Sequence, residues 1–337
     1  MPNRALVMSG SGSKGAFELG AVDYLVKEKK LDFHVIAGVS TGSLNAIMLA
    51  QGAGIDGLKQ QLELLEQIWF GISSYRDVFR KRFLAKLLVL FAKPSLYEPN
   101  PLRKKIERYV DSTKLRNSDK QLRIGAVCLE TGDYRSIDQT EREILTWTLA
   151  SSSIPLMFPP VKCNGDSNVD GGVRNVTPLK DAFAALKQLR AYQPSAEPDE
   201  MYVVLASPPD VQKELRRWKD GLSIGKRTVT LLLNEVFRED ITYALAVNHS
   251  VRAYEELRRE LCRNPDLQPA VDILDQQTFA FRPPKYRAVS LYGIVPDKEY
   301  SESLDFDPVR IRAAFEAGRE AAKAPLNESE MREMLSV

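Results

Sequence analysis

Two short apolar runs near the N-terminus each end in a glycine-rich turn, and a segment with helical spacing follows each turn. The runs are residues 4–9 and 33–38, and the segments that follow are residues 14–27 and 43–51. A buried strand, a tight turn and a helix, repeated in this order, indicate parallel strands with helices covering the sheet. The sequence therefore predicts an α/β protein with a mostly parallel central sheet.

The rest of the chain extends this pattern and then changes character after Pro208 and Pro209. We predict a domain over residues 1–210 and a mainly helical region over residues 211–337 that packs on it as one integrated unit. An apolar run near residues 286–295 is expected to return one strand to the sheet. Further predicted elements are helices at residues 58–70, 101–110, 141–151, 228–261 and 308–324, a hairpin at 123–137 and a strand at 201–206.

Composition excludes several classes of function. With 44% hydrophobic and 27% charged residues and a net charge of +2 over 337 residues, the chain is typical of a globular protein and not of a nucleic-acid binder. Three dispersed cysteines and two histidines favour neither a disulfide framework nor a zinc site. We expect no metal or cofactor. No apolar run is long enough to span a membrane, and no signal peptide is recognisable, so a cytoplasmic protein is expected.

The second turn carries the pattern Gly-x-Ser-x-Gly, formed by Gly38, Ser40 and Gly42. Between a strand and a helix, this pattern is typical of a nucleophile elbow, in which a sharp turn exposes the serine hydroxyl at the edge of the sheet. The alternative is an ordinary glycine-rich turn. The strand before it and the helix after it favour Ser40 as a nucleophile.

The first turn, Gly10-Ser11-Gly12-Ser13-Lys14-Gly15, matches a dinucleotide-binding pattern. That reading requires an acidic residue at the end of the second strand, where Ser40 lies instead. Free N–H groups of such a turn can stabilise an oxyanion, or can bind a phosphate without catalysing a reaction. Next to a serine elbow, an oxyanion hole is the better interpretation of this loop.

A serine nucleophile needs a base, and three residues are candidates. His34 lies at the far end of the strand that leads to Ser40, so we expect it to be structural. His249 would give the order Ser40, Asp170, His249 of an α/β-hydrolase triad, but it lies within a predicted helix, so this triad is kept as an alternative. Asp170 is followed by Gly171 and Gly172 and preceded by an apolar segment, whose burial would raise the pKa of the carboxyl group toward that of a general base.

These three motifs, in this order, resemble the patatin-like phospholipases. That family carries a glycine-rich oxyanion loop with an Arg or Lys, a Gly-x-Ser-x-Gly elbow and an Asp-Gly-Gly motif; residues 150–155 and 158–160 are similar as well. The resemblance implies a three-layer α/β/α sandwich and a Ser40–Asp170 dyad without histidine, which forms an acyl-enzyme. It also implies an oxyanion hole formed by the amides of Gly10, Ser11 and Gly12. Lys14, Gly15, Gly38, Gly42, Gly171 and Gly172 would support the motifs. One departure is Ser11, which stands where the family has glycine.

The resemblance implies a lipid or simpler carboxyl ester as the substrate. Residues 77–93 combine apolar and basic side chains and are predicted as a basic amphipathic helix, which either contacts a membrane surface peripherally or packs on the core. A protein of a different class is also consistent with the sequence. It would be a catalytically silent lipid-binding or interaction protein that keeps the same scaffold.

Overall fold

The computed structural model of the protein describes residues 1–82, 95–209, 221–277 and 287–335. Within these ranges the strands are β1 (Arg4–Met8), β2 (Val35–Val39), β3 (Arg80–Lys81), β4 (Tyr97–Glu98), β5 (Gln121–Cys128), β6 (Tyr134–Ile137), β7 (Val161–Cys163), β8 (Asp166–Asp170), β9 (Asp199–Val204) and β10 (Val289–Ile294). The α-helices are α1 (Gly15–Asp23), α2 (Thr41–Leu49), α3 (Gly54–Phe70), α4 (Asn100–Tyr109), α5 (Ser112–Asn117), α6 (Ile144–Ser151), α7 (Leu179–Tyr192), α8 (Gly221–Leu261), α9 (Gln268–Gln277), α10 (Pro308–Ala321) and α11 (Glu328–Leu335). A short 3-10 helix, Gly12–Lys14, precedes α1, and a π-helical turn, Tyr24–Glu28, follows it.

The central sheet has eight strands, in the order β10-β9-β1-β2-β5-β8-β7, with β6 also paired to β5. The five strands from β10 to β5 are parallel, whereas β6, β7 and β8 are antiparallel to their neighbours. The turns after β1, β2, β9 and β10 therefore lie at one edge of the sheet. In parallel α/β sheets this edge is where ligands bind.

Side chains alternate along the strands between two separate cores. Leu6, Met8 and Ile36 face one core, which also contains residues of α1, α2 and α3. Ala5, Val7 and Val35 face the other, together with residues of α7 and α8. Parallel strands that are buried on both faces need helices on both sides. The predicted three-layer α/β/α sandwich is confirmed.

Several predicted elements are present close to their expected positions. The hairpin is formed by β5 and β6, and Gln121–Cys128 pairs antiparallel with Tyr134–Ile137. The late strand is β10, which pairs parallel with β9 at the edge of the sheet, so the C-terminal region does return one strand. Helix α10 packs on α1 so closely that a Cβ atom at Gly20 would lie 1.9 Å from the carbonyl oxygen of Phe315.

The prediction of one helix over residues 77–93 is wrong at its N-terminal end. Asp77 closes a 3-10 turn that begins at Tyr75, and Arg80 and Lys81 form β3, paired with β4. Phe79 is 2% exposed and packs among aromatic rings that include Tyr97. Burial of this side chain favours an anchored loop over a surface helix at this point. Residues 83–94 lie outside the described residues, and membrane contact through this segment stays a prediction.

None of the described helices combines the length and the apolar composition needed to cross a membrane.

Candidate active site

Ser40 lies in a sharp turn between a strand and a helix. β2 ends at Val39 and α2 begins at Thr41, with Ser40 between them at φ 56° and ψ −128°. A positive φ is rare for a residue with a side chain, and such strain is common at catalytic turns. The turn is held from both sides, since the N–H of Ser40 donates to Ser151 Oγ (3.2 Å) and its carbonyl oxygen accepts from Ser43 Oγ (2.6 Å). This is the geometry of a nucleophile elbow.

The two glycines of the elbow are required by close packing. A Cβ atom at Gly38 would lie 2.2 Å from the carbonyl oxygen of Gly42, and one at Gly42 would lie 2.4 Å from that of Met8. Both contacts are with backbone atoms, which cannot move aside as a flexible side chain can. The turn after β2 is therefore packed directly against the end of β1, next to the glycine loop.

Asp170 reaches the same point from another direction. The hairpin of β7 and β8 turns at Asn164 and Gly165, both at positive φ, as two-residue hairpin turns require. β8 ends with Asp170 opposite Ala126 of β5, while β2 ends with Val39 opposite Gly125. The segments that carry Ser40 and Asp170 therefore end beside adjacent residues of the same strand.

Gly171 allows this approach. A Cβ atom at Gly171 would lie 2.4 Å from the carbonyl oxygen of Gly125 and 3.1 Å from a methyl group of Val39. The N–H of Asp170 also donates to the carbonyl oxygen of Ser153 at 3.0 Å. The aspartate is therefore fixed by its pairing with β5 and by the backbone hydrogen bond to Ser153.

The carboxyl group of Asp170 is buried and only partly satisfied. It is 4% exposed, and its Oδ1 accepts from the N–H of Gly172 at 2.8 Å. Its Oδ2 has no hydrogen-bond partner among the described residues. Burial raises the pKa of Asp170 to about 7, against smaller lowering effects of the Ser40 hydroxyl and the Gly172 N–H. The hydroxyl thus lies near the carboxyl group, although no hydrogen bond of ordinary length joins the two side chains.

The glycine loop contains two free amides rather than three. The N–H of Gly10 donates to Glu18 Oε1 at 2.6 Å, so the prediction of Gly10 as an oxyanion donor is corrected. In the described part of the chain, no acceptor takes the N–H of Ser11 or of Gly12. Ser11 has φ 175°, outside the left-handed region that favours glycine, so a residue with a side chain can stand at this position.

Glu18 is a buried acid that the sequence did not single out. It is fully buried on α1, and Oε2 accepts from Asn45 Nδ2 at 3.1 Å. Asn45 Oδ1 in turn accepts from Trp69 Nε1 at 3.0 Å. Burial raises the pKa of Glu18 to about 8, while the N–H of Gly10 lowers it. One signal was available, because Glu18 has helical spacing to the apolar residues Val22 and Leu25 and so falls on the apolar face of the first helix.

Lys14 and Gly15 hold the loop in place. Lys14 is 7% exposed, its Nζ donates to Ser207 Oγ (2.9 Å), and it pairs with Glu299 (2.6 Å). These partners follow β9 and β10, so the lysine joins the glycine loop to the neighbouring turns. Gly15 faces Thr41, where a Cβ atom would lie 2.4 Å from the threonine methyl group.

Two cavities meet at Ser40. One, of about 100 Å³, is mainly apolar and is bounded by α2, α3 and α4; its lining includes Leu44, Met48, Trp69, Ile106, Ile154 and Phe158. The other, of about 70 Å³, is lined by Ser40, Asp170, Gly10 and Ser11 among others. The predicted apolar segment before Asp170 does line a cavity, through Ile154 and Phe158.

Neither histidine lines these cavities. His249 is exposed on α8. His34 Nδ1 accepts from the backbone N–H of Arg4 (3.1 Å), and the backbone N–H of His34 donates to the carbonyl oxygen of Arg4 (2.9 Å), which is a structural role. The structure therefore gives no support to a triad that includes His249.

Comparison with known proteins identifies the family of the chain. The family model described as patatin-like phospholipase matches residues 6–183, which is more than half of the chain. The chain belongs to the patatin-like phospholipase family, and its class is that of the lipid acyl hydrolases. Similar solved structures include VipD from Legionella pneumophila, with 11% identity, a TM-score of 0.39, and coverage of 99% of this chain and 67% of that one. The type III effector protein ExoU has 14% identity and a TM-score of 0.29, over 84% of this chain and 71% of that one. Both similarities are weak.

Proposed function

We propose that this protein is a serine hydrolase that cleaves carboxyl esters of lipids through a Ser40–Asp170 dyad and an acyl-enzyme intermediate. One observation carries the proposal. A strained serine turn and a buried carboxyl group, whose Oδ2 has no partner among the described residues, lie on one cavity. An aspartate with a pKa of about 7 is a far better base near neutral pH than an ordinary carboxylate, because its proton affinity suits the operating pH.

In the proposed first step, Ser40 Oγ attacks the carbonyl carbon of the ester, and the serine proton moves to Asp170 Oδ2. Collapse of the tetrahedral intermediate breaks the bond to the alcohol, which takes that proton from Asp170 as it leaves. In the second step, Asp170 removes a proton from water, whose oxygen attacks the acyl-enzyme. The fatty acid then leaves, and Ser40 regains its proton.

The N–H groups of Ser11 and Gly12 are the proposed donors to the oxyanion. Ser11 precedes the short 3-10 helix and Gly12 is its first residue, and the hydrogen atoms of these two N–H groups are not taken by another described residue. Removal of one such donor typically lowers the rate by about 100- to 1000-fold. Gly10 contributes by fixing the loop through Glu18 rather than by binding the substrate.

The apolar cavity next to Ser40 suits an acyl chain. Its walls are mainly aliphatic and aromatic side chains, many of them from α2, α3 and α4, and Ser40 lies among the lining residues. Phospholipase A, lysophospholipase and carboxylesterase activities all fit this arrangement. The free thiols of Cys128, Cys163 and Cys262 are consistent with the reducing cytoplasm that we propose as the site of action.

A fluorophosphonate probe tests the proposal, because it labels only an activated serine. We expect labelling of the wild-type protein and of His249→Ala, and none of Ser40→Ala. Wild type and His249→Ala should also hydrolyse p-nitrophenyl butyrate and phosphatidylcholine vesicles, whereas Ser40→Ala and Asp170→Asn should hydrolyse neither. A folded wild-type protein that is not labelled and hydrolyses neither substrate would instead identify a silent lipid-binding scaffold.

A further inference from the structure

We propose that residues 299–306, here named the strap, complete the substrate site and that Leu304 sets the length of the acyl chain that is accepted. The strap lies outside the region that matches the family model, residues 6–183. This inference rests on the function proposed above and extends it to substrate selection. Four features of the described residues support it.

The strap is fixed at both ends by the core. It follows β10, whose six residues pair with β9. It leads into α10, which begins at Pro308 and packs closely on α1. Because β10 is parallel to β9 and β1, the strap leaves the sheet at the edge where Ser40 and the glycine loop lie.

The strap is bound along its length to the glycine loop. The N–H of Ser13 donates to the carbonyl oxygen of Ser303 (2.8 Å), and Ser13 Oγ lies 2.9 Å from both Ser301 Oγ and the carbonyl oxygen of Glu302. Ser11 Oγ and Ser303 Oγ form a further hydrogen bond at 3.2 Å. A Cβ atom at Gly12 would lie 1.7 Å from the carbonyl oxygen of Ser303, so the two backbones are in direct contact.

These contacts give a reason for the two serines of the loop. Ser11 stands where the family pattern has glycine, and both Ser11 and Ser13 use their hydroxyl groups on the strap rather than on the proposed dyad. The ion pair of Lys14 with Glu299 closes the same interface at its other end. The loop sequence is thus matched to the strap.

The strap contributes walls to both cavities that contain Ser40. Leu304 and Phe306 line the apolar cavity, and Ser303 lines the smaller one. Phe306 is 7% exposed, and its ring centroid lies 6.1 Å from that of Phe79, so it forms a fixed wall. Leu304 is only partly buried, so its side chain can be replaced with less disturbance of the core.

The test compares p-nitrophenyl butyrate with p-nitrophenyl dodecanoate on Leu304→Trp. Each methylene group that is buried contributes about fourfold in binding, so exclusion of two or three methylenes costs roughly 15- to 60-fold. We expect the ratio of kcat/KM for dodecanoate to kcat/KM for butyrate to fall by about that factor. Leu304→Ala should move the ratio of the two substrates in the opposite direction.

Val309→Trp is the matched control, since Val309 is 75% exposed five residues further along and lines neither cavity. It should keep the wild-type ratio. Fluorophosphonate labelling of each variant separates the two proposals. A wild-type protein that is not labelled refutes the proposed function, whereas labelled Leu304 variants whose ratios stay within threefold of wild type overturn the inference about the strap. If Leu304→Trp is not labelled, the ratio of the two substrates in Leu304→Ala decides: a ratio within threefold of wild type overturns the inference about the strap.

Discussion

Replacement of Asp170 by asparagine should stabilise the fold at alkaline pH while it abolishes turnover. The aspartate is 4% exposed, and burial raises its pKa from 3.8 to about 7. Its carboxylate is therefore held in an environment that disfavours its charge. Asparagine is neutral at every pH and has nearly the same shape, and its Oδ1 can still accept from the N–H of Gly172.

The size of the effect follows from linkage. Because the pKa is higher in the folded chain, the folded state binds more protons between pH 3.8 and 7, and stability falls as pH rises through that window. The full shift is about 3 pKa units, or about 4 kcal/mol at 1.36 kcal/mol per unit. At pH 5 roughly 2 kcal/mol of this loss is already present, and at pH 8.5 nearly all of it is.

Urea unfolding at these two pH values measures the difference. We expect the stability advantage of Asp170→Asn over wild type to grow by about 2 to 3 kcal/mol from pH 5 to pH 8.5. Other titrating groups, including Glu18, occur in both proteins and cancel in this comparison. An advantage that is the same at both pH values would refute the assignment of a strongly raised pKa to Asp170.

Four further results are expected. Gly171→Ala should lose about 1–3 kcal/mol of unfolding free energy and most activity, because its Cβ atom would lie 2.4 Å from a backbone oxygen. Gly225 lies on α8, where a Cβ atom would meet no described atom within 4 Å outside its own helix; Gly225→Ala should therefore gain about 0.5–1 kcal/mol of unfolding free energy in a urea titration. Glu18→Ala leaves the N–H of Gly10 without its partner and should cost about 1–3 kcal/mol and lower kcat, whereas Glu18→Gln keeps an acceptor for Gly10 but turns an NH2 donor toward Asn45 Nδ2, and should lose less in both. His249→Ala should keep kcat/KM within about twofold, since an exposed surface position typically tolerates change.

Part of the central layer was predictable, because β1 and β2 are short apolar runs that are each followed by a glycine-rich turn. The elbow at Ser40, the hairpin of β5 and β6, and the late strand β10 all have local signals in glycine, proline or alternating apolar residues. The convergence of Asp170 on Ser40 has no local signal. It depends on the register of β8 on β5, which only the folded sheet determines.

Two parts of the site lay beyond sequence reasoning for physical reasons. The use of the Gly10 N–H by Glu18 is a contact between a loop and the helix after it, which no spacing rule predicts. The strap approaches the glycine loop from about 290 residues further along the chain, through hydroxyl groups that also occur in ordinary surface turns. The helix prediction is wrong at the N-terminal end of residues 77–93, since helical spacing of apolar residues also fits a buried loop such as the one around Phe79.

The pH dependence of kcat/KM for p-nitrophenyl butyrate tests most directly whether Asp170 is the base for Ser40. We expect one ionisation with a midpoint near pH 7, activity on its alkaline side, and the same curve in His249→Ala and in Glu18→Gln. A rate that stays constant from pH 5.5 to 9, or an ionisation that disappears with either of those two substitutions, would contradict the proposed dyad.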